Sequence, residues 1–256
     1  MADRSLLAPR AVRDAVADQV DVFDRIQGRQ VAAVLRLLEQ LQQRVVAALA
    51  QLDPQRYAQQ SAALRRLLED LGTQFRTGAT DAVQAGQRAA IPLGQALVDT
   101  PLVAAGIRLA LPEVTVPLLE TLLQFSAEKI TGLSQDLIQR ITTEIQLGVL
   151  GTQTPFDTMR TVQDLLGLTP DERTGIAARA EAITRTETGR VHSTATQRRL
   201  EQARRSLPDL HKEWRHGGSR IPRSGHVAYS GTRVPVDAPF LVAPVVGGRR
   251  EALMYP

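Results

Sequence analysis

Two apolar stripes at helical spacing constrain this chain more than anything else in it. Val34, Leu38, Leu41, Val45, Ala48 and Leu52 step by three and four residues, which puts them on one face of an α-helix. Val12, Val16, Val20 and Phe23 carry the stripe upstream. Asp53-Pro54 then punctuates, since Asp caps a helix start and Pro fits its first position. A second stripe follows at Tyr57, Ser61, Leu64, Leu68, Leu71 and Phe75. Two such helices in succession predict an antiparallel hairpin or a coiled-coil pair. The stripes are too short for an extended fibre, so packing with other helices of the same domain is expected. Aromatic residues make up only 4% of the chain. The core must therefore be built from Leu, Val, Ile and Ala, which suits packed helices better than sheets.

Beyond the second stripe, Gly78, Gly86, Gly94, Gly106, Pro92, Pro101, Pro112 and Pro117 interrupt the pattern, and short helices and turns are expected over 78–118. Periodicity returns over 118–149 with Leu119, Leu122, Leu123, Ile130, Leu133, Leu137, Ile141 and Ile145. Thr154-Pro155 opens a short helix that runs to Leu166, and Gly167 stops it. Thr169-Pro170-Asp171-Glu172 reads as a capping box. It should start a long helix over 170–206, ended by Leu207-Pro208. Its inward positions would be Ile176, Ala180, Ile183, Glu187, Val191 and Thr194. Glu187 is the anomaly, because a buried carboxylate must be paired or hydrogen-bonded. Arg185 points elsewhere on the helix, so its partner should come from another element.

From Asp209 onward the helical period is lost. Segments around 226–229, 233–236, 240–242 and 252–255 alternate β-formers with Gly and Pro and predict short strands. Trp214, Tyr229, Phe240 and Tyr255 would give this part its own aromatic core. The expected fold class is α+β: a mostly helical N-terminal two thirds, then a long helix leading into a small C-terminal module of short strands and loops. The expected domains are 1–168 and 169–256, with the strands in 209–256.

Charge is unevenly spread. From Arg185 onward there are 13 Arg and Lys against 6 Asp and Glu, leaving 18 against 21 before it. A basic segment is attracted to nucleic acid or to acidic protein surfaces. The absence of cysteine removes disulfides, Cys-based zinc sites and Cys nucleophiles together. There is no Gly-x-Ser-x-Gly, no phosphate loop and no dinucleotide fingerprint. Met1 to Arg10 has no apolar h-region, so no secretory leader is expected. No 18-residue apolar run is present, so no membrane span is expected either.

The last third carries an ordered set of elements: Arg185-Thr186-Glu187, then Lys212-Glu213-Trp214, then Arg220, Arg223 and His226, then Gly231, Val234-Pro235 and Phe240, closing at Tyr255-Pro256. In order and spacing this resembles the C-terminal module of the phage Mu F-like (MuF) head morphogenesis proteins. The resemblance covers roughly residues 180–256. It departs from the family pattern at Gly218-Ser219, where an acidic residue commonly precedes the first arginine. The Gly-Asp-Pro turn and Cys-containing ending that usually follow Tyr-Pro are not in this sequence. The resemblance implies a minor capsid protein of a tailed bacteriophage, structural and not an enzyme, without a cofactor or metal. Its implied partner is the portal protein, with the major capsid protein and packaged DNA as further partners and no membrane. It implies residence in the virion head near the portal, and in the host cytoplasm during assembly.

Glu187, Trp214, Arg220, Arg223 and His226 read as structural staples of the C-terminal module; Arg220 and Arg223 could clamp a phosphate, and the favoured reading makes them the partner that Glu187 needs. Arg198, Arg199, Arg204 and Arg205 form two pairs on the later part of the long helix, where DNA phosphates or an acidic portal surface would meet them. The alternative for them is a solvated face that Glu201 partly neutralises. An enzyme reading centres on His226, with His211 and His216 as further ligands and Asp209 and Glu213 as carboxylates. That would make a nuclease or processing factor, but the spacing matches no metal-binding pattern. A cellular DNA-binding helical protein is a third reading.

Overall fold

In a computed structural model the chain is described at residues 8–52, 57–115, 119–150, 152–169, 173–214, 227–242, 245–246, 249–250 and 253–255. Five helices and six short strands lie among them: α1 (Ala8–Ala50), α2 (Tyr57–Ala104), α3 (Leu119–Val149), α4 (Pro155–Leu166), α5 (Gly175–Arg204), β1 (His211–Glu213), β2 (Arg233–Pro235), β3 (Phe240–Val242), β4 (Val245–Val246), β5 (Arg249–Arg250) and β6 (Leu253–Tyr255). The fold is mostly helical α+β, as the periodicities imply. The strands pair antiparallel as β1 with β2, β3 with β6 and β4 with β5.

The chain forms two compact units, and neither is contiguous. One comprises Gln19–Leu93 and Val116–His192, the other Met1–Asp18, Gly94–Thr115 and Ser193–Pro256. This division differs from the expected one at 168/169. The first half of α5 buries Ile176, Ala177 and Ala180 in the same apolar cluster as α1, α2 and α3, so it belongs with the helices that precede it.

Within the first unit the contacts fix helix direction. Arg44 Nη1 donates to Gln74 Oε1 at 2.6 Å, while Leu37 lies beside Gly78 and Gln30 beside Gly86. Residue numbers rise on α1 as they fall on α2, which is the antiparallel hairpin. Ser134 Oγ donates to the Gly72 carbonyl and Gln87 Nε2 to Ser126 Oγ, so α3 is antiparallel to α2. Arg179 meets Asp136 and Glu187 meets Lys129, so α5 is antiparallel to α3. The stripe residues Val34, Leu38, Leu41 and Val45 are buried, as are Leu64, Leu68, Leu71 and Phe75. Tyr57 and Ser61 have side chains outside the described set. Upstream the stripe weakens, and Val20 is exposed.

Three boundaries differ from expectation. Residues 78–104 are not short helices and turns but the continuation of α2. Gly78 and Gly86 act there as close-approach points: a Cβ would come within 3.0 Å of Leu37 at the first and 2.8 Å of Gln30 at the second. Pro92 lies inside the helix, just before the division between the two units at Leu93/Gly94. It has no backbone N–H to donate, and the helix continues past it to Ala104.

The second boundary is the start of α5, at Gly175 and not at 170. Residues 170–172 of the expected capping box lie outside the described residues. A capping box is instead found at α4, where Thr154 Oγ1 accepts from the Asp157 backbone N–H and Asp157 accepts from that of Thr154. Gly167, at φ 62°, closes the helix. Thirdly, residues 227–228 form a helical turn where a strand was expected.

The second unit has a smaller apolar core of Val98, Val114, Ala195, Ala203, Val236 and Phe240. Trp214 lies 5.4 Å from Phe240 and 6.3 Å from Tyr229, ring centre to ring centre, and each pair meets edge to face. This is the aromatic core expected of the C-terminal module.

Candidate functional site

The face of α5 divides into two settings, one in each unit. In the first, Glu187 is wholly buried. Its Oε2 accepts from Arg190 Nη1 at 3.1 Å, and its Oε1 lies 3.6 Å from Lys129 Nζ of α3. The partner from another element is therefore Lys129, 58 residues away. The partner on its own helix is Arg190, at the i+3 spacing that makes helix neighbours. Arg220 and Arg223, the expected partners, lie outside the described residues, as do His216 and His226.

A polar layer surrounds this carboxylate. Gln87 Nε2 donates to Ser126 Oγ at 2.7 Å, and Ser126 Oγ donates to the Leu122 carbonyl at 2.7 Å. Thr184 donates back to the Ala180 carbonyl. Gln87, Ser126, Thr184 and Thr188 are all buried. Three oxygens of the layer, Gln87 Oε1, Glu187 Oε1 and Thr188 Oγ1, accept no hydrogen bond. At its edge Lys129 and Arg190, each nearly two-fifths exposed, stand 4.8 and 5.2 Å from the Phe125 ring centre. One turn further along, His192 stacks on Phe23 with ring centres 4.0 Å apart. Burial pushes its pKa down to about 4, so it is neutral near pH 7. The site thus sets one carboxylate held by two cations beside a neutral stacked imidazole. Among the described residues no group of three or more His, Asp or Glu is placed to hold a metal.

In the second unit the four arginines of the later α5 separate sharply. Arg199 has a side chain only 8% exposed. Its guanidinium grips both oxygens of Asp99 at 2.7 and 2.6 Å and donates to the Pro112 carbonyl and to Gln202 Oε1. It is a staple, and the reading of Arg199 as a DNA or portal contact is corrected. A run of arginines gives no sign in sequence of which one turns inward. Arg204 pairs with Asp237 at 2.7 Å and Arg198 with Glu201 at 3.4 Å. Arg198 and Arg205 are exposed.

The same stretch of helix holds the small module. Gln197 Nε2 donates to the Val236 carbonyl at 3.2 Å, and its Oε1 accepts from Lys212 Nζ at 3.4 Å. Lys212 Nζ sits 5.2 Å from the Phe240 ring centre. Burial lowers the Lys212 pKa, against the raising effect of Asp237 and Glu201. The hydrogen bond from Arg204 holds the Asp237 carboxyl below its ordinary range. Backbone bonds complete the grip: the Trp214 N–H donates to the Thr232 carbonyl and the Gly231 N–H to that of Trp214. Trp214 is half-buried and packs edge to face on Phe240 and Tyr229. Glu187 belongs to the helical unit, and the clamp on the module is Gln197, which sequence reasoning missed. Nothing in a lone Gln among arginines marks it.

No protein-family model, no curated protein and no solved structure matches the chain. Among the described residues no helix is long and apolar enough to cross a membrane.

Proposed function

We propose that the chain is a minor capsid protein of a tailed bacteriophage, similar to the MuF head morphogenesis proteins, with a structural role in head assembly or DNA ejection. It would reside in the virion at the portal vertex, pass through the host cytoplasm during assembly, and act without an enzyme activity of its own. The observation that supports this reading is the meeting of separate motif elements in one module. Lys212 of the Lys-x-Trp element pairs in register with Val234 of the Val-Pro element, and the Phe240 ring packs on Trp214. Elements 20 to 30 residues apart in sequence are brought together, which is what a module with a fixed pattern requires.

Among the partners, a protein surface is favoured over DNA. Non-specific DNA binding needs several free cations along one face. Arg199 is buried, and Arg204 and Arg198 are held by carboxylates. The portal protein is the expected partner, with the major capsid protein and packaged DNA secondary. Co-purification of the tagged chain with portal rings from infected cells tests this. Retention through washing, lost when Trp214→Ala disrupts the module, is the expected result. Absence from purified particles and from portal rings would overturn it. A DNA-binding isotherm that falls steeply with salt would favour the DNA-binding reading instead.

A further inference from the structure

Within the helical unit α5 is held differently from α3. On α3 the buried positions are Leu123, Ser126, Ile130, Leu133, Ser134, Leu137, Ile141 and Ile145, six of them large and apolar. On α5, within the same unit, they are Ile176, Ala177, Ala180, Thr184, Glu187, Thr188, Val191 and His192, and only Ile176 and Val191 are large and aliphatic. Apolar area removed from water is the main source of helix docking strength, so α5 is seated with much less of it. The polar groups beneath it do not make up the difference. Glu187 Oε1 and Thr188 Oγ1 on α5, and Gln87 Oε1 facing them from α2, accept no hydrogen bond, and water would satisfy each one if the helix lifted.

The remaining holds are polar: beneath the helix Ser126 Oγ donates to Glu187 Oε2 and Gln87 Nε2 to the Glu187 carbonyl, both at a long 3.5 Å, and the others lie nearer its edges. Arg179 meets Asp136 of α3 at 3.2 Å. Arg185 donates to Gln27 Oε1 of α1, and Gln27 Nε2 donates to the Arg185 carbonyl. Lys129 meets Glu187. Of these, the exposed Arg179–Asp136 pair is the one that salt screens most, unlike an apolar seam. At the start of the helix Gly175 has φ 54°, a backbone state open to glycine at little steric cost, so the chain can turn there.

We propose that residues 175–192 form a releasable strap, a helix that lifts from the bundle while α2 and α3 stay packed. Release uncovers the apolar flank that Ile176, Ala177 and Ala180 cover. The strap does not depend on the phage role proposed above.

Hydrogen exchange by mass spectrometry on the intact protein tests this. Amides of residues 176–192 should exchange at least ten-fold faster than those of 130–141. Raising salt from about 0.1 M to about 1 M should widen the gap several-fold, because it weakens the Arg179–Asp136 pair and not the seam. Arg179→Gln, at a half-exposed position, should speed exchange in the strap alone. Exchange of 176–192 in step with 130–141, at both salt concentrations and in the variant, would overturn the proposal: the helix would then open only with the whole unit.

Discussion

Helices α3 and α5 are neighbours of nearly equal length, 31 and 30 residues, yet they are held by opposite means. α3 presents an aliphatic row that ends fully buried at Ile130, Leu133, Leu137 and Ile141. α5 presents small and polar groups, with a buried carboxylate in the middle of its face. An aliphatic seam is tolerant in register and strong per contact. A polar layer is weak in net energy but demands one alignment, since any slip leaves a charge without its partner. Here α3 supplies adhesion, and Lys129, Ser126 and Gln87 supply the register in which α5 docks.

The largest expected effect is on the apolar side. Leu137→Ala should cost about 3 kcal/mol of unfolding free energy, read from urea denaturation, because the side chain is fully buried and its site cannot collapse. A loss below about 1 kcal/mol would break the contrast at once.

Acid should act next, and on the polar side. The His192 imidazole has its pKa pushed down by burial to about 4, from an ordinary 6.5. The unfolded chain therefore takes up a proton at higher pH than the native one. The contribution is complete above about pH 6.5, declines as pH falls, and is lost by about pH 4. The total is at most ~3 kcal/mol. In His192→Phe the decline between these two values should shrink. An unchanged pH profile would mean that His192 is not the group responsible.

The two arginines of the basic run make a smaller contrast. Arg199→Ala leaves Asp99 and the Pro112 carbonyl without their donor and should cost about 2 kcal/mol. Arg198→Ala removes only an exposed pair with Glu201 and should move the unfolding midpoint by less than about 0.5 kcal/mol. Equal losses at the two positions would contradict the inward placement of Arg199.

How much of this was legible in the sequence follows the same divide. The apolar rows of α1, α2 and α3 were readable because spacing alone identifies a helix face. The limits of α4 were readable from Thr154-Pro155 and Gly167. The long run of α2 was not, because Gly78, Gly86 and Pro92 look like breaks until the close approach of Leu37 and Gln30 gives the glycines a packing reason. Glu187 was recognisable as an anomaly, but its partners were not. Arg190 has the right helical spacing, while Lys129 is placed by tertiary packing that no local pattern encodes. For Gln197 and Arg199 the sequence holds no signal, since their roles depend on where Val236, Lys212, Asp99 and Pro112 arrive.

The claim that α5 is held by register and not by adhesion has one direct test, the urea unfolding midpoint of the double variant Gln87→Leu, Glu187→Leu. Its two substitutions remove two of the three oxygens that accept no hydrogen bond, while Lys129 and Arg190 keep access to water. A buried polar cluster replaced by apolar groups of similar size is commonly neutral or stabilising. The expected midpoint is equal to or above that of the unaltered protein, with slower hydrogen exchange at 176–192. A fall corresponding to about 3 kcal/mol or more would contradict it, because the polar layer would then be what fastens α5 to the bundle.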